Sequence, residues 1–98
     1  MTACFVAQID WKDADALRRY VRGMSGMIER YGGRYVVVGG ALEPVEGRWA
    51  PGRLVVLEFP TLGALRDWYD SDEYRPLRDL RLQHSRSDSV IVEGVERR

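Results

Sequence analysis

The stretch Gly32-Gly33-Arg34-Tyr35-Val36-Val37-Val38-Gly39-Gly40 decides the fold. It is a β-branched and aromatic run with a glycine pair at each end, which reads as a strand. Gly32-Gly33 suits the end of a preceding helix, because glycine takes the left-handed conformation that a helix C-terminus often needs. Gly39-Gly40 ends the strand or bulges it. A helix therefore precedes this strand, and a turn towards another strand follows it.

Working outward, Ala3 to Ile9 is an almost continuous apolar strand. Asp10 to Asp13 is polar and turn-like, and Asp13 is placed to cap a helix. Ala14, Leu17, Tyr20, Val21, Met24, Ile28 and Tyr31 recur at spacings of three and four, which predicts one amphipathic helix up to the first glycine pair. Gly23 and Gly26 lie inside that helix, either as tolerated defects or as points of close approach. Beyond the central strand, Ala41 to Gly52 holds Pro44, Gly47 and Pro51 and reads as a long loop. Trp49, inside it, is expected to fold back over apolar surface. Arg53 to Phe59 is the third strand. Thr61 caps a second helix carrying Leu62, Leu65, Trp68 and Tyr69. Asp70 with Glu73 offers a capping box for a further helical segment through Leu80 and Arg81, with Pro76 in its first turn. His84 to Ser87 reads as polar loop, Ser89 to Glu93 as the fourth strand, and Gly94 to Arg98 as a charged tail.

The order β-α-β-β-α-β, with right-handed split units, predicts one ferredoxin-like α+β domain over residues 1–98: a four-stranded antiparallel sheet with its helices on one face. The second and third strands do not alternate, although an antiparallel sheet with one face in water should. No helices remain to cover that face, so a second copy of the sheet is expected, giving a twofold homodimer.

Charge and cysteine content narrow the function. Fifteen Lys and Arg balance fifteen Asp and Glu, which argues against nucleic acid or an anionic membrane as the main partner. Lys12 is the only lysine among those cations. Cys4 is the only cysteine and excludes an internal disulfide; in its apolar run it reads as a small core residue. Met1 to Ile9 lacks the basic start and length of a signal peptide, and no apolar run nears the roughly 20 residues a bilayer needs, so a cytoplasmic location is the default expectation.

The runs GGRYVVVGG, EGRWAPGR, VVLEFPTLGALRDWYDSDEYRPL and IVEG together resemble the family called domain of unknown function 1330 (DUF1330), across Phe5 to Val95. The resemblance implies membership of the dimeric α+β barrel superfamily, in which two ferredoxin-like sheets pair face to face. That superfamily holds cofactor-free monooxygenases, isomerases, haem-using enzymes and proteins without known activity, and fold alone does not choose among them. Its cofactor-free monooxygenases place an aromatic pair with hydrogen-bonding side chains near the end of the second helix, and Trp68 and Tyr74 resemble that pair. An asparagine one turn earlier would strengthen the likeness; this chain has Ala64 there.

Several residues are candidates for chemistry, each with a structural alternative. Trp68, Tyr74 and Arg81 are expected to bound a ligand cavity on the helix side of the sheet, with an apolar body and one cationic end; the alternative is plain core. His84 is the only histidine, which excludes a multi-histidine metal site; it is either a general base or a solvated loop residue. Glu58, in an apolar strand, needs a partner such as Arg34, Arg53 or Gln8, and is either an ion-pair member or a proton acceptor at a pocket mouth. Arg78, Arg81 and Asp88 are expected to form a second polar group. No metal or cofactor is called for. Two functions stay open: a small cofactor-independent enzyme acting on a hydrophobic or aromatic metabolite, or a non-catalytic ligand-binding or accessory dimer.

Overall fold

A computed structural model describes residues 1–95, so the end of the charged tail lies outside the described residues. The elements are β1 (Ala3–Trp11), α1 (Ala14–Gly23), α2 (Met27–Arg30), β2 (Arg34–Val38), β3 (Leu54–Phe59), α3 (Leu62–Tyr69), α4 (Arg75–His84) and β4 (Ser85–Glu93). The sheet has the order β2-β3-β1-β4 and every pairing is antiparallel. This is the ferredoxin-like arrangement expected of the split β-α-β units.

The opening stretch folds for the reasons its glycines suggest. Gly32 sits at φ 85°. Its amide donates to the Glu29 carbonyl at 3.0 Å, and the Gly33 amide to the Ile28 carbonyl at 2.9 Å. That pair of bonds is a Schellman closure, and it satisfies carbonyls that α2 would otherwise leave open. Gly33 then passes close over the core: a Cβ there would stand 2.7 Å from the Phe59 ring. β2 is bulged between Tyr35 and Val37, and Gly39, at φ 60°, donates to the Leu54 carbonyl at 2.8 Å as the chain leaves for the long loop.

Two helical expectations need correction. The helix from Ala14 to Tyr31 is broken: α1 ends at Gly23, and Gly26 adopts φ 73° before α2 begins. Gly23 is a point of close approach, since a Cβ there would lie 2.6 Å from Leu77 of α4. Asp70 and Glu73 do not form a capping box. The Ser71 hydroxyl accepts from the Tyr74 amide at 3.0 Å and donates to the Trp68 carbonyl at 2.8 Å, bridging α3 to α4. Glu73 instead pairs with Arg30. The other caps stand as expected: Asp13 accepts from the amides of Asp15 and Ala16, and Thr61 from that of Ala64. Those two amide bonds hold the Asp13 carboxyl below its ordinary pKa.

Residues 84–87 form no loop. α4 runs to His84 and β4 starts at Ser85, whose hydroxyl donates to the Arg81 carbonyl. The strand takes Ser, Arg and Asp because it pairs with β1 along its whole length, from Trp11↔Ser85 to Ala3↔Glu93.

The register sorts side chains between two faces. On the helix side, Ala3, Phe5, Ala7 and Ile9 meet Leu57 and Phe59 and the buried residues Ile28, Leu65, Trp68 and Tyr74 in one core. On the other face a row of valines crosses all four strands: Val37, Val56, Val6 and Val90. No helix covers this face. Val90 and Val92 are 60% and 50% exposed, and Trp49 reaches over from the loop to donate its indole N–H to the Gln8 side chain at 3.0 Å. Cys4 belongs to this open face, opposite Glu58 and Val92, and is half-buried rather than part of the core.

Candidate functional site

Trp68 packs on every side. Its ring stacks on Phe59 at 5.6 Å, meets Phe5 edge-on at 5.4 Å, and lies 4.4 Å from Tyr74. The break at Asp70 does bring Trp68 and Tyr74 together, and Arg81 follows: its Nε–H donates to the Tyr74 hydroxyl at 3.4 Å and its Nη1 to the Ser87 hydroxyl at 2.8 Å. All three residues are nonetheless buried to within 1%. They are core, and the cavity expected between them is not there, because Phe5, Phe59, Tyr69 and Tyr74 fill the space around the indole.

The cavity lies next to that cluster, still on the helix side of the sheet. It holds about 290 Å³ between α1 and the β2-β3-β1 part of the sheet. Leu17, Tyr20 and Val21 of α1 with Met24 at its C-cap form the roof, and Phe5, Ile9, Val55 and Leu57 form the floor. Trp11 closes one end, and Tyr35 and Arg53 bring polar atoms to the wall. Arg53 is fixed through its backbone, whose carbonyl accepts from the Ile9 amide at 3.0 Å. Its guanidinium packs beside Gly39, where a Cβ would lie 3.1 Å away. The α1 periodicity held the signal for this roof, since Leu17, Tyr20, Val21 and Met24 form its apolar stripe.

Tyr20 links the cavity to the buried cluster. Its hydroxyl lies 2.7 Å from the Tyr74 hydroxyl, and its ring packs against Trp11 at 5.2 Å. Burial pushes the Tyr20 hydroxyl pKa well above 10, and adjoining Tyr74 pushes the same way. Tyr20 therefore stays a neutral phenol rather than a base. Burial also works against the Arg81 charge, but the Tyr74 and Tyr20 oxygens outweigh it and raise the guanidinium pKa. Arg81 Nη2 and the Trp68 indole N–H are buried without an acceptor among the described residues. The cluster is thus rich in donors and poor in acceptors.

The other candidates stand apart. Glu58 faces the open side of the sheet, where its Oε1 accepts from Arg34 Nε at 2.9 Å and forms an ion pair with Nη2 at 2.9 Å. His84 lies at the α4–β4 junction with Nδ1 3.8 Å from an Asp13 carboxylate oxygen. Neither lines the cavity. Arg78, Arg81 and Asp88 do not group: Arg78 donates to the Tyr69 carbonyl, while Asp88 pairs in register with Gln8 and so faces the open side, away from Arg81. Among the described residues no three His, Cys, Asp or Glu side chains gather to hold a metal ion, and no helix is long and apolar enough to cross a membrane.

A four-stranded antiparallel sheet with helices on one face, a cavity beneath α1 and an open apolar second face define a ferredoxin-like α+β protein. The profile of the family described as Domain of unknown function (DUF1330) matches residues 2–95, and the chain belongs to that family. No curated protein matches the sequence. Among solved structures, a protein of unknown function from Rhodopseudomonas palustris is similar, with a TM-score of 0.76 at 17% identity over 98% of this chain and 84% of that one. A dimeric ferredoxin-like protein of unknown function from Thermobifida fusca gives 0.66 at 16% identity, over 96% and 92%. SnoaB, a cofactor-independent oxygenase from Streptomyces nogalater, gives 0.68 at 13% identity, over 98% and 95%. At these identities the likeness shows the fold alone.

Proposed function

We propose that this protein is a homodimer that binds a hydrophobic or aromatic small molecule in the helix-side cavity of each copy. The observation that carries the reading is the cavity itself: about 290 Å³, walled mostly by apolar side chains, with the polar-tipped Tyr20, Tyr35, Trp11 and Arg53 among its lining residues. Mostly apolar walls with a few placed polar groups are what small-molecule sites have in common. Trp68, Tyr74 and Arg81, expected at the wall, act from behind it: Trp68 and Tyr74 support the floor residue Phe5, and Arg81 and Tyr74 hold the Tyr20 hydroxyl.

Dimerisation is supported by the open face, where the four-valine row and Val92 stand in water in a single copy. Covering this row with a second sheet removes a contiguous apolar patch from water, and a soluble monomer rarely keeps one that spans a whole sheet. The dimeric ferredoxin-like neighbour from Thermobifida fusca is in keeping with this. Catalysis is a second reading, that of a cofactor-independent enzyme. It is favoured by the buried Arg81–Tyr74–Tyr20 network, which stabilises charge on a ligand oxygen, and by the fold shared with SnoaB. Tyr20, held neutral, supplies no base. Titrating the protein with naphthalene while following tryptophan fluorescence tests the binding reading, since Trp11 lines the cavity. Saturable quenching that Val55→Trp abolishes by filling the cavity is expected; absence of binding would refute it.

A further inference from the structure

The hydrogen-bond donors behind the cavity have only one consistent order. Arg81 carries no acceptor, so at its 3.4 Å contact the guanidinium N–H must donate and the Tyr74 oxygen must accept. At 2.7 Å the hydroxyls of Tyr74 and Tyr20 share one proton, and either could be the donor. If Tyr20 donates to Tyr74, the Tyr74 proton is left in a fully buried place with no acceptor. That costs the desolvation of an unmade hydrogen bond. If Tyr74 donates to Tyr20, the leftover proton is that of Tyr20, which lines the cavity and can reach whatever the cavity holds. Among the described residues the Tyr74 hydroxyl has hydrogen-bond partners only in Tyr20 and Arg81, and the neighbouring donors Arg81 Nη2 and Trp68 indole N–H have no acceptor.

We infer that Arg81, Tyr74 and Tyr20 form a one-way relay that presents the Tyr20 O–H to the cavity, and that the ligand carries a carbonyl, enolate or phenolate oxygen to accept it. The inference rests on the proposed cavity reading and gives its ligand a chemical class: a flat apolar body bearing one acceptor oxygen. Each donor in a chain polarises the next, and the guanidinium at its head makes the Tyr20 O–H a stronger donor than an isolated phenol. The Phe5 ring, on the cavity floor, lies 5.9 Å from the same guanidinium, so the cation adds to the field at this end of the cavity. Tyr20 is here a ligand-binding residue; Tyr74 and Arg81 are positioning residues that act through it.

The test compares 2-acetylnaphthalene with 2-isopropenylnaphthalene, two probes of nearly the same shape that differ in C=O against C=CH2. Binding is read by tryptophan quenching in the wild type, Tyr20→Phe and Tyr74→Phe. The wild type should prefer the ketone by about tenfold, the worth of one hydrogen bond to a polarised donor. Tyr20→Phe should abolish that preference while keeping the affinity for the hydrocarbon. Tyr74→Phe should reduce the preference without abolishing it, because Tyr20 keeps its proton but loses its donor. A purely structural role for either tyrosine would weaken both probes alike and would overturn the relay. A ketone preference unchanged in Tyr20→Phe would overturn it too, with the cavity reading intact. Failure of both probes to bind the folded wild type would overturn the cavity reading and the relay with it.

Discussion

Glu58 reports on the open face of the sheet more directly than any other residue. Its Oε1 accepts from Arg34 Nε at 2.9 Å and stands 2.9 Å from Nη2, a close ion pair across β2 and β3. The pair sits in the row Arg34–Glu58–Cys4–Val92, beside the row of four valines. In one isolated copy the Glu58 side chain is 13% exposed but that of Arg34 is 60% exposed. Water that reaches one partner so freely screens the attraction, and such a pair contributes about 0.2–1 kcal/mol. If a second sheet covers the face, both charges leave water. Glu58→Ala then strands the Arg34 cation in a dry interface at a cost of roughly 3–5 kcal/mol. The two states of assembly thus predict losses that differ several-fold. Urea denaturation of Glu58→Ala and its parent, each at several protein concentrations, reads the difference. The dimer account predicts the larger loss, with both midpoints rising with concentration, as mass action requires of a folded dimer. Replacing both partners, Arg34→Leu with Glu58→Leu, should restore most of the stability, since apolar residues of similar size replace buried ion pairs at little cost. A loss below about 1 kcal/mol, independent of concentration, would mean that no second sheet covers the Arg34–Glu58 pair.

Light scattering at micromolar concentration should give twice the chain mass, and Val56→Glu, in the middle of the valine row, should reduce it to a single chain without unfolding the helix-side core. Gly33→Ala should cost about 1–3 kcal/mol in thermal or urea unfolding, because its Cβ would strike Phe59 and Ile28, two core side chains with no room to move. Arg81→Met should cost about 1–3 kcal/mol in urea unfolding, for the hydrogen bonds to Tyr74 and Ser87 that it removes, while reducing the ketone preference; a ketone preference left unchanged would show that the cation does not act through Tyr20. At alkaline pH the raised Tyr20 pKa sets the sign. The unfolded chain ionises near about 10 while Tyr20 in the folded chain stays neutral, so this contribution to stability is present below that pH and is lost as pH rises further. Tyr20→Phe should therefore flatten the alkaline limb of a stability–pH curve.

Much of the fold was legible because local signals agreed with one another. The glycine pairs, the Asp13 and Thr61 caps and the apolar runs each name an element and its limits, and chirality then leaves one topology. The break in the first helix was harder to read: Gly26 punctuates the chain through a positive φ, yet the apolar spacing from Ala14 to Tyr31 carries on across it. β4 begins earlier than its composition suggests because pairing with β1 supplies its backbone hydrogen bonds whatever its side chains are. The candidate site was half legible. The sequence points to Trp68, Tyr74 and Arg81 as a cluster, and they form one, but burial is set by partners distant in the chain. Phe5 and Phe59 close over Trp68, and the free volume falls one layer away, under α1. Tyr20 looked like an ordinary member of an apolar helix face. Only its 2.7 Å approach to Tyr74, 54 residues later, ties it to the buried polar cluster behind the cavity.

An isotope-filtered NMR experiment on the labelled protein with bound 2-acetylnaphthalene reads directly where the ligand sits. Nuclear Overhauser contacts from the naphthyl protons to Tyr20, Val55 and Leu57 would place the ligand beneath α1, as the account predicts. Contacts confined to Val6, Trp49 and Val90 on the open face of the sheet, or none to the protein at all, would contradict it.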